Sequence, residues 1–260
     1  MLPSFLKPYN IDTHNLVRIG PNSDGGYVIH KDSIDLTKKI ITCGLNDDWK
    51  FEKNFKKINK VCYIDAYDHT IDKDFWYKRF RKDIAHFFLL KKLRLYKIIK
   101  IFDYLDYKIF FKNKNKHFLK KVVQKAEKDN EISLSDLLSN DDGIFLKIDI
   151  EGSEYDMLSD IIEKSEKLVS LIIEFHNIKN NLNKIQNFIT ENKNLKLIHI
   201  HANNFKEIDS NGNPNDIELT FVNINKINVS LEKSKKNYPI FGLDYKNFKR
   251  GKDIELKFYE

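Results

Sequence analysis

The chain has 260 residues, of which 41% are apolar and 13% aromatic, so a folded globular protein is expected and a disordered one is excluded. Its two cysteines, Cys43 and Cys62, allow no disulfide framework and no four-cysteine zinc site, which fits a reducing compartment. The net charge of +7 is uneven, because residues 78–125 hold 16 Lys or Arg and three Asp, a net charge of +13 that leaves about −6 elsewhere. An anionic partner would meet this basic segment first.

Short β-branched runs alternate with helical patterns along most of the chain. Strands are predicted at 39–43, 61–67, 144–148, 168–175, 195–201 and 216–223, and helices at 48–58, 134–138, 155–162 and 182–192. This alternation predicts an α/β fold with a parallel or mostly parallel sheet and helices on both faces. No run of about 18 apolar residues predicts a transmembrane segment, and residues 1–10 lack the apolar stretch of a signal peptide, so a cytoplasmic location is expected.

The interval 86–129 interrupts the alternation. Its apolar residues recur every three to four positions with lysines between them, which is typical of one or two amphipathic helices. We expect a basic helical insertion that caps the sheet edge within one domain spanning residues 1–260.

Polar residues that follow the predicted strands are the first candidates for a site, because ligands of open α/β sheets bind beyond the carboxyl ends of the strands. Gly44 follows the first strand and is succeeded by Asn46 and Asp47. A glycine there lets a ligand approach the backbone, although the dinucleotide fingerprint G-x-G-x-x-G is absent. A capped turn is the alternative.

The second predicted strand offers two carboxylates, Asp65 and Asp68. An acid at this position can accept both ribose hydroxyls of a nucleoside ligand. Asp68 is favoured because Asp65 lies inside the apolar run, and a turn cap is the alternative function of either.

The strongest local signal follows the third predicted strand. Asp149, Glu151 and Glu154 surround Gly152 beside a buried strand. A charge at the end of an apolar strand must be paired, hydrogen-bonded or bound to a metal. A cap for the helix that follows is the alternative.

Two i, i+2 pairs occur near later strand ends: Glu174 with His176, and His199 with His201. Strand alternation places both members of each pair on one side, where they can serve as metal ligands or as acid/base groups. A hydrogen-bonded core histidine is the alternative for each. Glu218 on the last strand could join them or pair with a lysine.

These segments together resemble the FkbM-type methyltransferases. Residues 146–154 (LKIDIEGSE) are similar to a signature of that family, and residues 18–28, with R-x-G and DGGYV, resemble its N-terminal motif. Further similar segments are 43–51, 67–70, 174–176, 199–205 and 217–221. The resemblance covers about residues 15–85 and 130–223.

The resemblance implies a class I, Rossmann-like fold and S-adenosyl-L-methionine as cofactor. It places Gly44, Asn46 and Asp47 near the methionine part of the cofactor and Asp68 (or Asp65) at the ribose. It also places the segment Lys82 to Ile84, with Asp83, near the adenine, after the third strand of the family's sheet, and it places Asp149 beside the sulfonium and the acceptor.

Three candidates can accept the proton of the acceptor hydroxyl: Asp149, His176 and His201. A divalent metal, Mg²⁺ or Mn²⁺ held by Asp149, Glu174 and His176, is an alternative way of lowering the pKa of that hydroxyl.

The expected acceptor is a sugar, nucleotide-linked sugar or phosphorylated metabolite of surface polysaccharide biosynthesis, anionic because of the basic insertion. The same insertion would suit an anionic membrane surface. Two other functions compete. One is methylation of RNA bound by the insertion, in which basic residues are interleaved with aromatic ones, and the other is a non-catalytic scaffold with the same fold. A nucleic-acid partner is not expected, because no RNA-binding module is found.

Overall fold

The computed structural model describes residues 1–89, 102–206, 208–209 and 212–259. The strands are β1 (Leu16–Ile19), β2 (Tyr27–His30), β3 (Lys39–Cys43), β4 (Tyr63–Tyr67), β5 (Asn115–Phe118), β6 (Lys121–Val123), β7 (Glu131–Ser133), β8 (Ile144–Ile148), β9 (Leu168–Phe175), β10 (Leu195–Asn203) and β11 (Asp216–Asn223). The α-helices are α1 (Asp32–Leu36), α2 (Lys50–Ile58), α3 (Lys73–Leu89), α4 (Asp103–Phe110), α5 (Leu134–Ser139), α6 (Leu158–Glu163) and α7 (Ile178–Glu191).

Seven strands form the main sheet in the order β10-β11-β9-β8-β3-β4-β5. The pairs β3–β4, β3–β8, β4–β5 and β8–β9 are parallel, whereas β11 runs antiparallel between β9 and β10. Counted in chain order these strands read 3-2-1-4-5-7-6, which begins with the Rossmann order and inserts one reversed strand. The predicted Rossmann-like α/β class is therefore confirmed.

Alternate side chains of the central strands enter two separate cores, one on each face of the sheet. On β8, Leu146 packs with one core and Phe145 with the other. The first core also contains buried residues of α5, α6 and α7, and the second contains Phe51 and Phe55 of α2. Phe51 and Phe55 lie one turn apart and both contact Phe145, as their four-residue spacing predicts. Because both faces are covered, the central strands are almost entirely apolar.

The interval predicted as a helical insertion is helical only in part. Helix α3 begins before the interval 86–129, at Lys73, and α4 lies inside the interval. The second half of the interval forms two strands instead: β5, the edge strand of the main sheet, and β6, which pairs with β7 in a small two-stranded sheet. Residues 90–101 of the predicted insertion lie outside the described residues.

The chain after β11 packs along the far edge of the sheet. Its buried residues Ile227, Tyr238 and Leu256 join the larger core, and a bridge pairs Leu2 with Phe258. Among the described helices, none combines the length and the apolar character needed to cross a bilayer.

Candidate active site

A cavity of about 220 Å³ opens at the carboxyl ends of β3, β4 and β8. These three strands are parallel neighbours, so the residues that follow them meet at one edge of the sheet. The cavity is lined by Gly44, Asn46, Tyr67, Asp68, His69, Thr70, Lys120, Lys121, Val122, Asp149, Ile150 and Glu151. It brings together three predicted sites: the glycine loop, the end of the second predicted strand and the acidic loop.

Gly44 is required by the close approach of two strand ends. Its φ is +83°, and a Cβ atom built on it would lie 1.7 Å from the backbone oxygen of Asp149. The next loop residue to line the cavity, Asn46, also has a left-handed φ, of 50°. The glycine therefore lets the loop after β3 lie directly against the loop after β8.

Asp68 fixes the shape of the glycine loop. Its Oδ2 accepts hydrogen bonds from the backbone N–H groups of Leu45 (3.0 Å) and Asn46 (2.8 Å), and its Oδ1 accepts from the backbone N–H (2.8 Å) and the hydroxyl (2.6 Å) of Thr70. Burial alone would raise the pKa of Asp68, but these donors stabilise the carboxylate and the net pKa is lowered. Asp68 thus lines the cavity as a charged group that also caps the turn.

Asp149 follows β8 and lines the same cavity. Burial raises its pKa to about 6, although the positive charges of Lys147 and His176 oppose this shift. Among the described residues, no donor hydrogen-bonds to the carboxylate of Asp149. The nearby cation, Lys147, is itself buried, with its Nζ 3.8 Å from Glu52 and 5.5 Å from the ring centroid of Tyr27. A carboxylate with this pKa changes its protonation state near neutral pH.

Glu154 holds His176 in one orientation. This fully buried carboxylate accepts hydrogen bonds from the backbone N–H groups of His176 (Oε1, 2.7 Å) and Gly152 (Oε2, 2.7 Å). Its Oε1 also lies 3.3 Å from Nδ1 of His176. Burial would lower the pKa of His176, but Glu154, Asp149 and Glu151 outweigh it and the net pKa is raised. Nε2 of His176 is left to face Glu151 (3.6 Å) and Glu174 (3.8 Å).

The donor set that could hold a divalent metal differs from the predicted one. One ligand atom each from Asp149, Glu151 and His176 lies within 4.8 Å of the others, so Glu151 occupies the place predicted for Glu174. Burial, with the charges of Asp149 and Glu218, raises the pKa of Glu174 well above its usual range. Its Oε1 accepts a hydrogen bond from Nδ2 of Asn203 (2.7 Å).

The structure does not place His201 in the cavity. This buried side chain lies on β10, with Nδ1 at 3.1 Å from Glu218 and Nε2 at 3.7 Å from Asp253. Burial lowers its pKa, but the two carboxylates outweigh that effect and raise it to about 10. His201 is not among the residues that line the cavity, so the geometry gives no support to its prediction as the base. His199 forms a separate buried pair with Asp244 (3.1 Å).

Several residues predicted to bind the cofactor lie elsewhere. Asp47 pairs with Arg79 of α3, and Asp65 pairs with Lys39 (2.7 Å) beside a different cavity near the amino ends of the strands. Of the two acids of β4 and its end, only Asp68 lines the candidate site. The family resemblance places the segment 82–84 in a loop after the family's third strand, but in this structure it lies within α3. There Asp83 is buried 3.7 Å from Arg79, and Ile84 is half-buried.

Three residues that follow β5, the third strand of the main sheet in chain order, were not predicted as part of the site. Lys120, Lys121 and Val122 come directly after β5 and line the cavity. They were assigned to the insertion because the short strand before them, Asn115–Phe118, has no apolar run. The acidic loop includes Glu154 in the sequence prediction, but its role of orienting His176 was not predicted.

No protein-family model matches this chain, and no curated protein sequence matches it. Some solved structures show a distant similarity. Over 83% of this chain and 98% of the other, it is 8% identical to precorrin-6y C5,15-methyltransferase from Geobacter metallireducens, with a TM-score of 0.36. Over 75% of each chain it is 9% identical to TYW2 from M. jannaschii in complex with AdoMet, with a TM-score of 0.33.

A third similar structure, 23S rRNA methyltransferase ErmE, is 7% identical over 78% of this chain and 69% of that one, with a TM-score of 0.32. TM-scores this low do not establish a shared fold. The fold class therefore rests on the strand order and directions of the main sheet.

Proposed function

We propose that this chain is an S-adenosylmethionine-dependent methyltransferase that acts on a hydroxyl group. The observation that supports this most is the joining of Gly44, Asp68 and Asp149 in one cavity at the ends of three adjacent parallel strands. A glycine loop that lines the cavity, an acid that can meet ribose hydroxyls and a carboxylate near the reacting centre suit a sulfonium nucleoside.

The finer proposal is an FkbM-type enzyme whose acceptor is a sugar, a nucleotide-linked sugar or a related phosphorylated metabolite, in cytoplasmic steps of surface polysaccharide biosynthesis. The motif resemblance supports the family. Lys120 and Lys121 support an anionic acceptor, because they put positive charge at the edge of the cavity.

When bound, S-adenosylmethionine supplies a methyl group attached to positively charged sulfur. The chain itself must hold the acceptor hydroxyl in line and take its proton. We assign the proton to the Asp149–His176 pair, with Asp149 as the member that lines the cavity. Because the two groups interact, an apparent pKa from the rate profile belongs to the pair. Glu154 keeps the imidazole in position by its hydrogen bonds.

The Asp149, Glu151 and His176 donor set is chemically suitable for Mg²⁺ or Mn²⁺, since it combines two carboxylates with an imidazole. A metal requirement would appear as lost activity after dialysis against EDTA and recovery on adding either ion. Full activity in EDTA would exclude it.

The first experiment is calorimetric titration of the chain with S-adenosylmethionine and with its demethylated product. Binding of either supports the enzyme, whereas heat-free titrations of both would favour the scaffold function. Mass spectrometry of methyl transfer to nucleotide-activated sugars and phosphorylated metabolites then identifies the acceptor.

The variant that tests the role of Asp149 as proton acceptor is Asp149→Asn, which keeps the shape of the side chain and removes its charge. We expect the rate of methyl transfer to fall by about 10²–10⁴-fold, the range of general-base contributions. Asp156→Asn is the control, because Asp156 is an exposed acid in the turn that follows the same loop. Equal rates in wild type and Asp149→Asn would remove Asp149 from the site.

A further inference from the structure

Helices α3 and α4 expose an unusual number of large apolar side chains. Tyr77 and Phe80 on α3, and Leu105 and Ile109 on α4 with Phe102 before it, have exposed fractions from 47% for Phe80 to 74% for Ile109. We call these five residues the aromatic–aliphatic face. A cavity of about 570 Å³ with mainly apolar walls lies between the two helices and is lined in part by Tyr77, Phe80, Phe102 and Leu105. Contiguous apolar surface of this kind marks an interaction site.

The face is held rigidly by aromatic packing beneath it. Trp76 of α3 lies 4.9 Å from Tyr107 of α4 and 6.1 Å from Trp49, measured between ring centroids. Nε1 of Trp49 donates to Asp106 (3.0 Å), and Arg79 pairs with Asp103 (2.8 Å). The exposed residues therefore project from an ordered support.

Exposed cations flank the same residues. Arg81 lies over the ring of Tyr77, and Lys108 lies over the ring of Tyr104, with 5.7 Å to the centroid in each case. Lys73, Lys78 and Lys112 are also exposed. The acids of α4 are engaged, since Asp103 pairs with Arg79 and Asp106 with Lys53. Among the residues that the structure describes, these five cations have no ion-pair partner, so the outer surface of the two helices combines apolar groups with positive charge.

We propose that the aromatic–aliphatic face binds the surface of a bilayer that contains anionic lipids. Aromatic and aliphatic side chains enter the boundary between headgroups and acyl chains, while lysines and arginines beside them contact anionic headgroups. RNA is the less suitable partner: Tyr77, Phe80 and Phe102 offer rings for stacking, but the aliphatic Leu105 and Ile109 beside them do not, whereas a bilayer accepts both kinds of side chain. The proposal does not depend on the proposed methyl transfer.

The test is co-sedimentation of the full chain at low salt with two kinds of vesicle, phosphatidylcholine alone and phosphatidylcholine with about one-third phosphatidylglycerol. We expect binding to the anionic vesicles that is at least about fivefold tighter than to the neutral ones. The double variant Leu105→Ser with Ile109→Ser keeps every charge and should bind the anionic vesicles about tenfold more weakly, because it removes apolar groups that would enter the bilayer. Phe241→Ser is the control, since Phe241 is a fully exposed apolar residue outside both helices.

Circular dichroism of each variant should match wild type, because the replaced side chains are exposed. Each of the following results would overturn the proposal: no binding to anionic vesicles, equal binding by wild type and the double variant, or tighter binding to a single-stranded RNA oligonucleotide that the same double variant weakens. Loss of binding in Phe241→Ser equal to that in the double variant would also overturn it.

Discussion

Glu154 is the residue whose replacement should separate the tuning of His176 from the chemistry of Asp149. The carboxylate of Glu154 accepts hydrogen bonds from two backbone N–H groups, those of Gly152 and His176. A Gln would place its amide NH₂, which is also a donor, against one of them, so that N–H group would lose its acceptor. We expect Glu154→Gln to cost about 1–3 kcal/mol of unfolding free energy, as buried unsatisfied donors do. It should also lower the pKa of His176, because Glu154 contributes most to raising it.

If the Asp149–His176 pair takes the proton, the rate of methyl transfer rises with pH through the pKa of that pair. The acid limb of the kcat/KM profile of Glu154→Gln should therefore move to lower pH than that of wild type. Glu163→Gln, which changes an exposed acid at the end of α6, is the control and should leave the limb in place. An unmoved limb in Glu154→Gln would contradict the role assigned to Glu154.

Gly44 and Gly152 allow a second test at the scale of single residues. Both have positive φ, +83° and +101°, but an added Cβ would meet Asp149 only at Gly44, while at Gly152 it would have nothing within 4 Å. We expect Gly44→Ala to lose about 1–3 kcal/mol more unfolding free energy than Gly152→Ala, as overpacked sites do. Urea denaturation monitored by circular dichroism measures both. Equal losses would mean that backbone strain alone determines the cost.

At the scale of elements, β4 and the turn after it carry two acids with different tasks. Asp68→Ala removes the acceptor of four hydrogen bonds from Leu45, Asn46 and Thr70. We expect it to weaken S-adenosylmethionine binding by about tenfold or more, because the glycine loop loses its shape and a ribose acceptor is lost. Asp65→Asn should leave the dissociation constant unchanged, since Asp65 pairs with Lys39 beside a different cavity. Equal losses in the two variants would mean that stability, and not the cavity, sets the affinity.

The contrast between β8 and β5 shows which elements the sequence could predict. The strand at 144–148 is buried on both faces, so its apolar run was visible and its predicted bounds match those of β8. The edge strand β5 has neighbours on one side only and contains Asn115, Lys116 and His117, so it carried no apolar signal. Because β5 was not predicted, the loop after the third strand of the sheet was placed too early in the chain. The prediction that Asp83 and Ile84 lie in that loop was misplaced for the same reason.

For the whole molecule, a hydrogen-bond network around Glu218 of β11 joins residues that are distant in sequence. Nδ2 of Asn247 donates to Glu218 (2.6 Å) and to Asp24 (3.1 Å), and Glu218 contacts His201. Neither spacing nor periodicity connects residue 24 with residue 247, so this network could not be predicted from the sequence. The i, i+2 pattern left a hydrogen-bonded core histidine as the alternative for His201, and its buried contact with Glu218 agrees with that alternative.

This network predicts how the stability of the whole chain depends on pH. The pKa of His201 is raised from 6.5 to about 10 in the folded chain. A raised pKa means that the folded state binds the proton more tightly, so its stabilisation is complete below pH 6.5 and is lost as the pH rises towards 10. His201→Gln, which has no such proton, should be less stable than wild type by about 1–3 kcal/mol at pH 6.5 and should lose less stability between pH 6.5 and 10. Urea denaturation across this range measures both slopes, with His14→Gln, at an exposed position, as the control. Parallel slopes for wild type and His201→Gln would show that the Glu218–His201–Asp253 contact does not hold a proton in the folded state.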